Sequence, residues 1–344
     1  MKILVRGTNW IGDAVMSIPA LRELRRVFPD SHITLHTRSW ADELFSDAEF
    51  IDELVTYDKH RWPIKDVYDN SQFLKGDKFD LAILLPNSFE SALTSFLTKV
   101  PRRIGYNKDV RGLLLTDPVA VPEWKGRLHE VFYYLHLVGE VERRATGRST
   151  VSSAMPDGRL AISDERKAKA RLQLREAGVD VSRKTVAIIA GSANMPAKRW
   201  PAENFAKLTD RLNSDLDANV LLIGSKDEAD VSARVSELGH RAPIDLSGQT
   251  TLGEASAILS VVDLVVSNDT GMAHVAPAVG TNTIVVFGPT DPEITRPYSS
   301  LAQVLYKKPL NGKKIEWPSV DEVFAASAIR LQEDVDDEAT SDIP

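Results

Sequence analysis

Three polar turns carry the side chains of this 344-residue chain that are equipped for chemistry. Each directly follows an apolar run, the position from which open α/β sheets bind their ligands. The first reads Gly7-Thr8-Asn9-Trp10-Ile11-Gly12-Asp13. Its glycine spacing is not the G-x-G-x-x-G dinucleotide fingerprint. No Lys-Ser/Thr follows Gly12, so it is not a phosphate loop either. What remains is Asp13 at the start of a helix. An aspartate there suits an N-cap and also suits a general base, which acts in its ionised form; both readings stand. Trp10 beside it reads as a core anchor in preference to an exposed platform.

The second turn runs Ala190-Gly191-Ser192-Ala193-Asn194-Met195-Pro196-Ala197-Lys198-Arg199-Trp200-Pro201. Small residues let a ligand approach the backbone, and Lys198 offers a point charge suited to phosphate. A solvated Lys-Arg pair is the alternative. The third, Ser267-Asn268-Asp269-Thr270-Gly271-Met272-Ala273-His274, leaves a strand and opens a helix. Backbone amides at such a terminus attract anions. His274, four residues after Thr270, shares its helix face, where it serves either a ligand or the core. The turn Phe287-Gly288-Pro289-Thr290-Asp291-Pro292 ends the next strand on the same side.

The elements that must hold these turns alternate between short β-rich runs and helical patterns, which predicts βα units and parallel sheets. The runs are 2–6, 32–37, 53–57 and 79–85, then 184–190, 219–224, 244–246, 263–267 and 282–287. Ala14, Val15, Ile18, Leu21, Leu24, Val27 and Phe28 recur at helical spacing, with Asp13 opening that helix and Pro29 closing it. The expected fold class is α/β, with two Rossmann-like, doubly wound parallel-sheet domains facing a central cleft. Residues 145–160 are small and polar and read as the linker region. The first domain is expected over 1–160 and the second over 161–318, beginning with an exposed charged helix at 161–177. A last amphipathic helix follows at 319–332, then an acidic, disordered tail at 333–344.

The composition excludes several classes. There is no cysteine, hence no disulfide framework and no thiolate site. The net charge is −7, but residues 333–344 hold six acids and no base, so the rest of the chain is close to neutral. No face-wide basic excess exists to bind duplex nucleic acid. No run approaches the length of a membrane span, and the N-terminus does not read as a signal peptide, so a cytoplasmic protein is expected. Asp215-Leu216-Asp217 precedes a strand, the wrong end for the ligand crevice, and reads as a surface loop. His32 and His36 fall in a strand, where their spacing does not make a metal pair.

Taken together, the segments resemble the ADP-heptose:lipopolysaccharide heptosyltransferases of glycosyltransferase family 9, closest to the type II enzymes, over about residues 1–330. The anchors are Asn9-Trp10-Ile11-Gly12-Asp13-Ala14-Val15-Met16-Ser17, Arg103-Ile104-Gly105-Tyr106 with Arg111-Gly112-Leu113-Leu114-Leu115-Thr116, Pro196-Ala197-Lys198-Arg199-Trp200-Pro201, Asn268 to His274, and Phe287 to Pro292. The resemblance implies the GT-B arrangement and transfer of L-glycero-D-manno-heptose from ADP-heptose to the heptosyl-Kdo-lipid A inner core, with inversion. It makes Asp13 the base. It puts Lys198 and the Thr270-Gly271 amides on the diphosphate, and Asp269 and His274 near the donor heptose. Glu228, with Asp227 as the alternative, matches an acid at the ribose. Acceptor contacts fall to Thr8, Asn9, Trp10, Arg61, Arg103 and Arg111.

The implied partners are a nucleotide-sugar donor and an anionic glycolipid at the cytoplasmic face of the inner membrane. No cofactor is implied, and no metal if Lys198 and the helix terminus carry the charge. Lys99, Arg102, Arg103, Lys108 and Arg111 lie within thirteen residues, suited to acceptor anions or to a solvated loop. His60-Arg61-Trp62-Pro63 is a second such site. Two departures from the family pattern are Ala190-Gly191-Ser192, where Pro-Gly-Ala is common, and Pro277, expected to kink its helix. The alternative to an enzyme is a non-catalytic or differently specific nucleotide-sugar-binding protein on the same fold. An NAD oxidoreductase is disfavoured by the missing fingerprint.

Overall fold

The computed structural model describes residues 1–59, 62–152, 156–192, 195–308 and 316–332. The chain divides into two compact units, Met1–Leu160 with Glu293–Thr295, and Ala161–Pro292 with Arg296 onward. Among the described residues each unit holds one six-stranded sheet. The first is built from β1 (Lys2–Arg6), β2 (His32–Arg38), β3 (Glu53–Tyr57), β4 (Leu81–Leu84), β5 (Arg102–Tyr106) and β6 (Asp117–Val119). The second is built from β7 (Thr185–Ile189), β8 (Asn219–Leu222), β9 (Ile244–Asp245), β10 (Leu264–Asn268), β11 (Thr283–Phe287) and β12 (Ala302–Tyr306).

The strand orders are β3-β2-β1-β4-β5-β6 and β9-β8-β7-β10-β11-β12. All the pairings are parallel. Both sheets therefore follow the doubly wound order, reversing direction between β1 and β4 in one and between β7 and β10 in the other. Helices cover both faces, so the central strands are buried throughout, as parallel sheets require: β4, β7, β8, β10 and β11 expose no residue.

The core of the second unit lies in two layers. One side packs Val186, Ile188, Trp200, Phe205, Leu208, Val266 and Val286. The other packs Ala187, Ile189, Leu221, Ile258, Leu259 and Val265. The alternation of residues 186–189 between the two layers is the period of a strand. The charged helix Asp164–Glu176 buries only Ala170 and Leu174. The last helix, Val320–Gln332, packs on the helix Ala202–Leu216, where Arg211 meets Asp321 at 2.6 Å and lies 3.7 Å over the Phe324 ring. No helix among the described residues is long and apolar enough to cross a membrane. The acidic tail lies outside the described residues.

Candidate active site

At the end of β1 a Cβ on Gly7 would stand 2.7 Å from Thr37 Cβ, so the turn runs too close to β2 for any side chain. The Thr37 hydroxyl donates to the Thr8 carbonyl at 3.2 Å. The Tyr57 hydroxyl approaches Asn9 Oδ1 at 3.5 Å. The helix then spans Ile11–Val27, and two expectations need correction. Trp10, not Asp13, is the N-cap residue; Asp13 stands inside the first turn. Trp10 is 57% exposed rather than part of the core, because the helix's buried face begins only at Ala14.

Asp13 is half-buried, and its Oδ1 accepts a hydrogen bond from the Tyr134 hydroxyl at 3.1 Å. Tyr134 lies on the helix Glu130–Thr146, which packs along Ile11–Val27. Burial pushes the Asp13 carboxyl above its ordinary range. The Tyr134 bond opposes that shift, Glu130 adds to it, and Lys125 works against it. Burial holds the Tyr134 hydroxyl well above its usual range, followed by the charges of Asp13 and Glu130. It therefore stays protonated and keeps donating. Lys125 pairs with Glu130 and sits 4.0 Å over the Tyr133 ring. A fixed carboxylate tuned upward from the carboxylate range has the character of a general base.

In the second unit, Asn268 at the end of β10 ties two turns together. Its Nδ2 donates to the Ala190 carbonyl at 2.6 Å, and its Oδ1 accepts from the Trp200 amide at 2.9 Å. Trp200 is buried edge-on to Phe205 at 5.0 Å, with its indole N–H donating to the Pro318 carbonyl at 3.0 Å. The Lys198-Arg199 pair just before it is thereby held in place. Arg199 donates to the Ser192 carbonyl at 3.2 Å. Lys198 Nζ donates to Asp269 Oδ2 at 2.6 Å, and the same oxygen accepts from the Thr290 hydroxyl at 2.7 Å. Lys198 is thus no loosely solvated cation. One of its three N–H donors goes to Asp269.

Next to Asp269, Thr270 is the extended N-cap of the helix Gly271–Ala278. The first amides of that helix have no intrahelical acceptor, and the helix dipole favours negative charge there. His274 is buried in the next turn. Pro277 stands in the last turn, one residue before the helix ends. Glu228 closes a short 3-10 turn after β8. Its Oε2 accepts from the Ser225 amide at 3.1 Å and hydroxyl at 2.7 Å. Its Oε1 lies against Gly191, where a Cβ would meet it at 2.3 Å. Asp227 is exposed, so Glu228 is the inward acid of the two. A cation, a helix terminus and a buried acid thus surround the ends of β7 and β10, an arrangement suited to a nucleotide diphosphate.

The family model for glycosyltransferase family 9 (heptosyltransferase) matches residues 68–320. The chain belongs to glycosyltransferase family 9. It is accordingly a glycosyltransferase. Lipooligosaccharide heptosyltransferase 2 of Haemophilus ducreyi is 28% identical over 321 residues, covering 89% of this chain and 88% of its own. Lipopolysaccharide heptosyltransferase 2 of Escherichia coli is 28% identical over 311 residues, with the same shares covered. The solved structure of ADP-heptose LPS heptosyltransferase II from Escherichia coli has a TM-score of 0.80 at 26% identity, over 96% of this chain and 98% of that one. A family 9 glycosyl transferase from Veillonella parvula, at 22% identity, shares the fold with a TM-score of 0.85 over 96% and 97% of the two chains.

In this family 9 enzyme the remaining sequence-derived residues separate. Arg111 is fully buried and donates to the carbonyls of Tyr106 (2.8 Å) and Pro86 and to Asn87 Oδ1 (3.2 Å). Arg103 donates to the Leu114 and Val100 carbonyls. Both guanidiniums hold backbone together in this structure. Arg61 lies outside the described residues, as do Ala193 and Asn194. Asp215 and Asp217 are exposed and pair with Arg211 and Arg183. Among the described residues no group of three or more His, Asp or Glu converges in the manner of metal ligands. Sequence reasoning missed Tyr134 and the bridging role of Asn268. Nothing local marks Tyr134, but an asparagine ending an apolar strand was a readable signal for the second.

Proposed function

We propose that this enzyme transfers an L-glycero-D-manno-heptosyl unit from ADP-heptose to heptosyl-Kdo-lipid A, extending the lipopolysaccharide inner core at the cytoplasmic face of the inner membrane. The heptosyltransferase 2 relatives support the substrate class. The observation that carries the mechanism is Asp13 itself, half-buried, hydrogen-bonded to Tyr134 and raised in proton affinity.

The acceptor hydroxyl oxygen attacks the anomeric carbon from the face opposite the diphosphate, so configuration inverts. Asp13 takes the hydroxyl proton as the new bond forms, a contribution of roughly 10²–10⁴ in rate. The anomeric C–O bond breaks, and its electron pair leaves with ADP. Negative charge grows on the leaving diphosphate, and Lys198 with the Gly271 helix amides stabilises it more in the transition state than in the ground state. These groups supply the charge that a divalent cation supplies in metal-dependent transferases. Asp269 and Thr290 aim Lys198; Glu228 is placed at the ribose, and His274 at the donor sugar. Thr8, Asn9 and Trp10 line the acceptor side.

The test is ADP release by purified protein given ADP-heptose and the lipid acceptor, with chelator present. Turnover should persist with chelator, and Asp13→Asn should lower kcat by about 10²–10⁴ with little change in donor KM. Wild-type turnover by that variant would remove Asp13 from the role of base.

A further inference from the structure

Two touching helices and a turn of the first unit expose large apolar side chains that none of these catalytic groups uses. The helix Pro63–Leu74 buries Val67, Ser71 and Leu74 and exposes Ile64, Tyr68 and Phe73; Trp62 just before it is exposed as well. Ile64 is 86% exposed. The helix Phe89–Leu97 packs against it, burying Ser91, Ala92 and Ser95 while Phe89 and Phe96 stay exposed. On that second helix packs the turn Arg111–Leu114, where Leu113 is 88% exposed and the preceding Val110 is 80% exposed. Soluble surfaces scatter large apolar residues singly, and a run of them over touching elements marks a contact surface.

The turn is built to hold its aliphatic side chains outward. Asp109 and Val110 have φ of 54° and 62°, a left-handed conformation that a β-branched residue adopts only when its surroundings impose it. Directly after it, the buried Arg111 fastens the turn to the carbonyls of Tyr106 and Pro86. Charge points to the occupant. Among the described residues of 59–75 and 89–114, Lys59, Lys65, Lys75, Lys99 and Lys108 are exposed against Asp69 and Asp109, in a chain that is near neutral outside its acidic end. Arg103 lies 5.4 Å over the Phe96 ring. Lys59 pairs with Glu90 at 3.1 Å. A second copy of the chain on this face would oppose like charges. An anionic bilayer would take the aliphatic side chains into its headgroup layer and meet the cations with phosphate.

We propose that this face docks the enzyme on an anionic membrane surface, deepening the reading above and resting on it for the lipid-borne acceptor. The probe is flotation of the full-length protein with vesicles of phosphatidylethanolamine and phosphatidylglycerol, against vesicles of phosphatidylcholine alone. Wild-type protein should float with the anionic vesicles and stay behind with the neutral ones. Ile64→Glu combined with Leu113→Glu should lower the bound fraction about tenfold, and the corresponding serine pair should lower it by less. Both glutamate substitutions fall on exposed positions, so the thermal midpoint should hold, as should the rate on a deacylated, soluble acceptor. Equal flotation of wild type and the glutamate pair would overturn the proposal. So would a concentration-dependent dimer that the glutamate pair dissolves. Absence of transfer by wild type to the soluble acceptor would instead overturn the acceptor reading, leaving the flotation result to be judged alone.

Discussion

Asp13 owes its proton affinity to its neighbours. An exposed aspartate is a weak base at neutral pH; here burial raises its carboxyl, and Tyr134 and Lys125 limit the rise. The base works ionised, so activity should fall as pH drops through its raised value. Lys125→Gln removes a charge that favours ionisation and leaves Glu130 without its ion-pair partner. Both effects raise Asp13 further, so the acid limb of kcat/KM should move to higher pH. A pH–rate profile of the variant superimposing on wild type would show that Lys125 does not act through Asp13. Lys198 is likewise positioned by its neighbours. Its ammonium, on a short turn, is oriented by Asp269, which Thr290 holds in turn, and that orientation is what the proposed diphosphate contact needs.

The turn that carries Lys198 depends on the elements around it, and Trp200 is their joint. The ring fills the layer between the second sheet and its helices, and its two N–H groups are taken by Asn268 and Pro318. Trp200→Ala should cost about 3–5 kcal/mol of unfolding free energy, read by denaturant titration, because a large buried ring leaves a cavity. A loss below about 1 kcal/mol would mean that the turn collapses around the gap. How legible an element was depended on its own composition. The central strands are apolar runs bounded by turn residues. The strands β5, β6 and β12 escaped the reading for particular reasons. β5 begins with Arg102 and Arg103. β6 is three residues long with Pro118 at its centre, which an edge strand tolerates. β12 is only partly buried and has no continuous apolar run.

At the scale of the molecule, two sheets of one strand order divide the labour. The proposed base, Asp13, belongs to the first unit, and the proposed diphosphate-binding groups, Lys198 and the helix terminus at Gly271, belong to the second. ADP should therefore raise the thermal midpoint of wild type and of Asp13→Asn by similar amounts, and raise that of Lys198→Ala much less. Equal shifts in all three would detach Lys198 from the nucleotide. The sequence by itself determined the alternation of strand and helix, the polar turns that follow the strands, and the family, because each is written in a local run of residues. Only the tertiary structure decided which side chains meet there. Tyr134 reaches Asp13 across 121 residues of chain and Lys198 reaches Asp269 across 71. Proton affinity and charge orientation arise from burial and contact, and both are properties of neighbours that folding brings in from far along the chain.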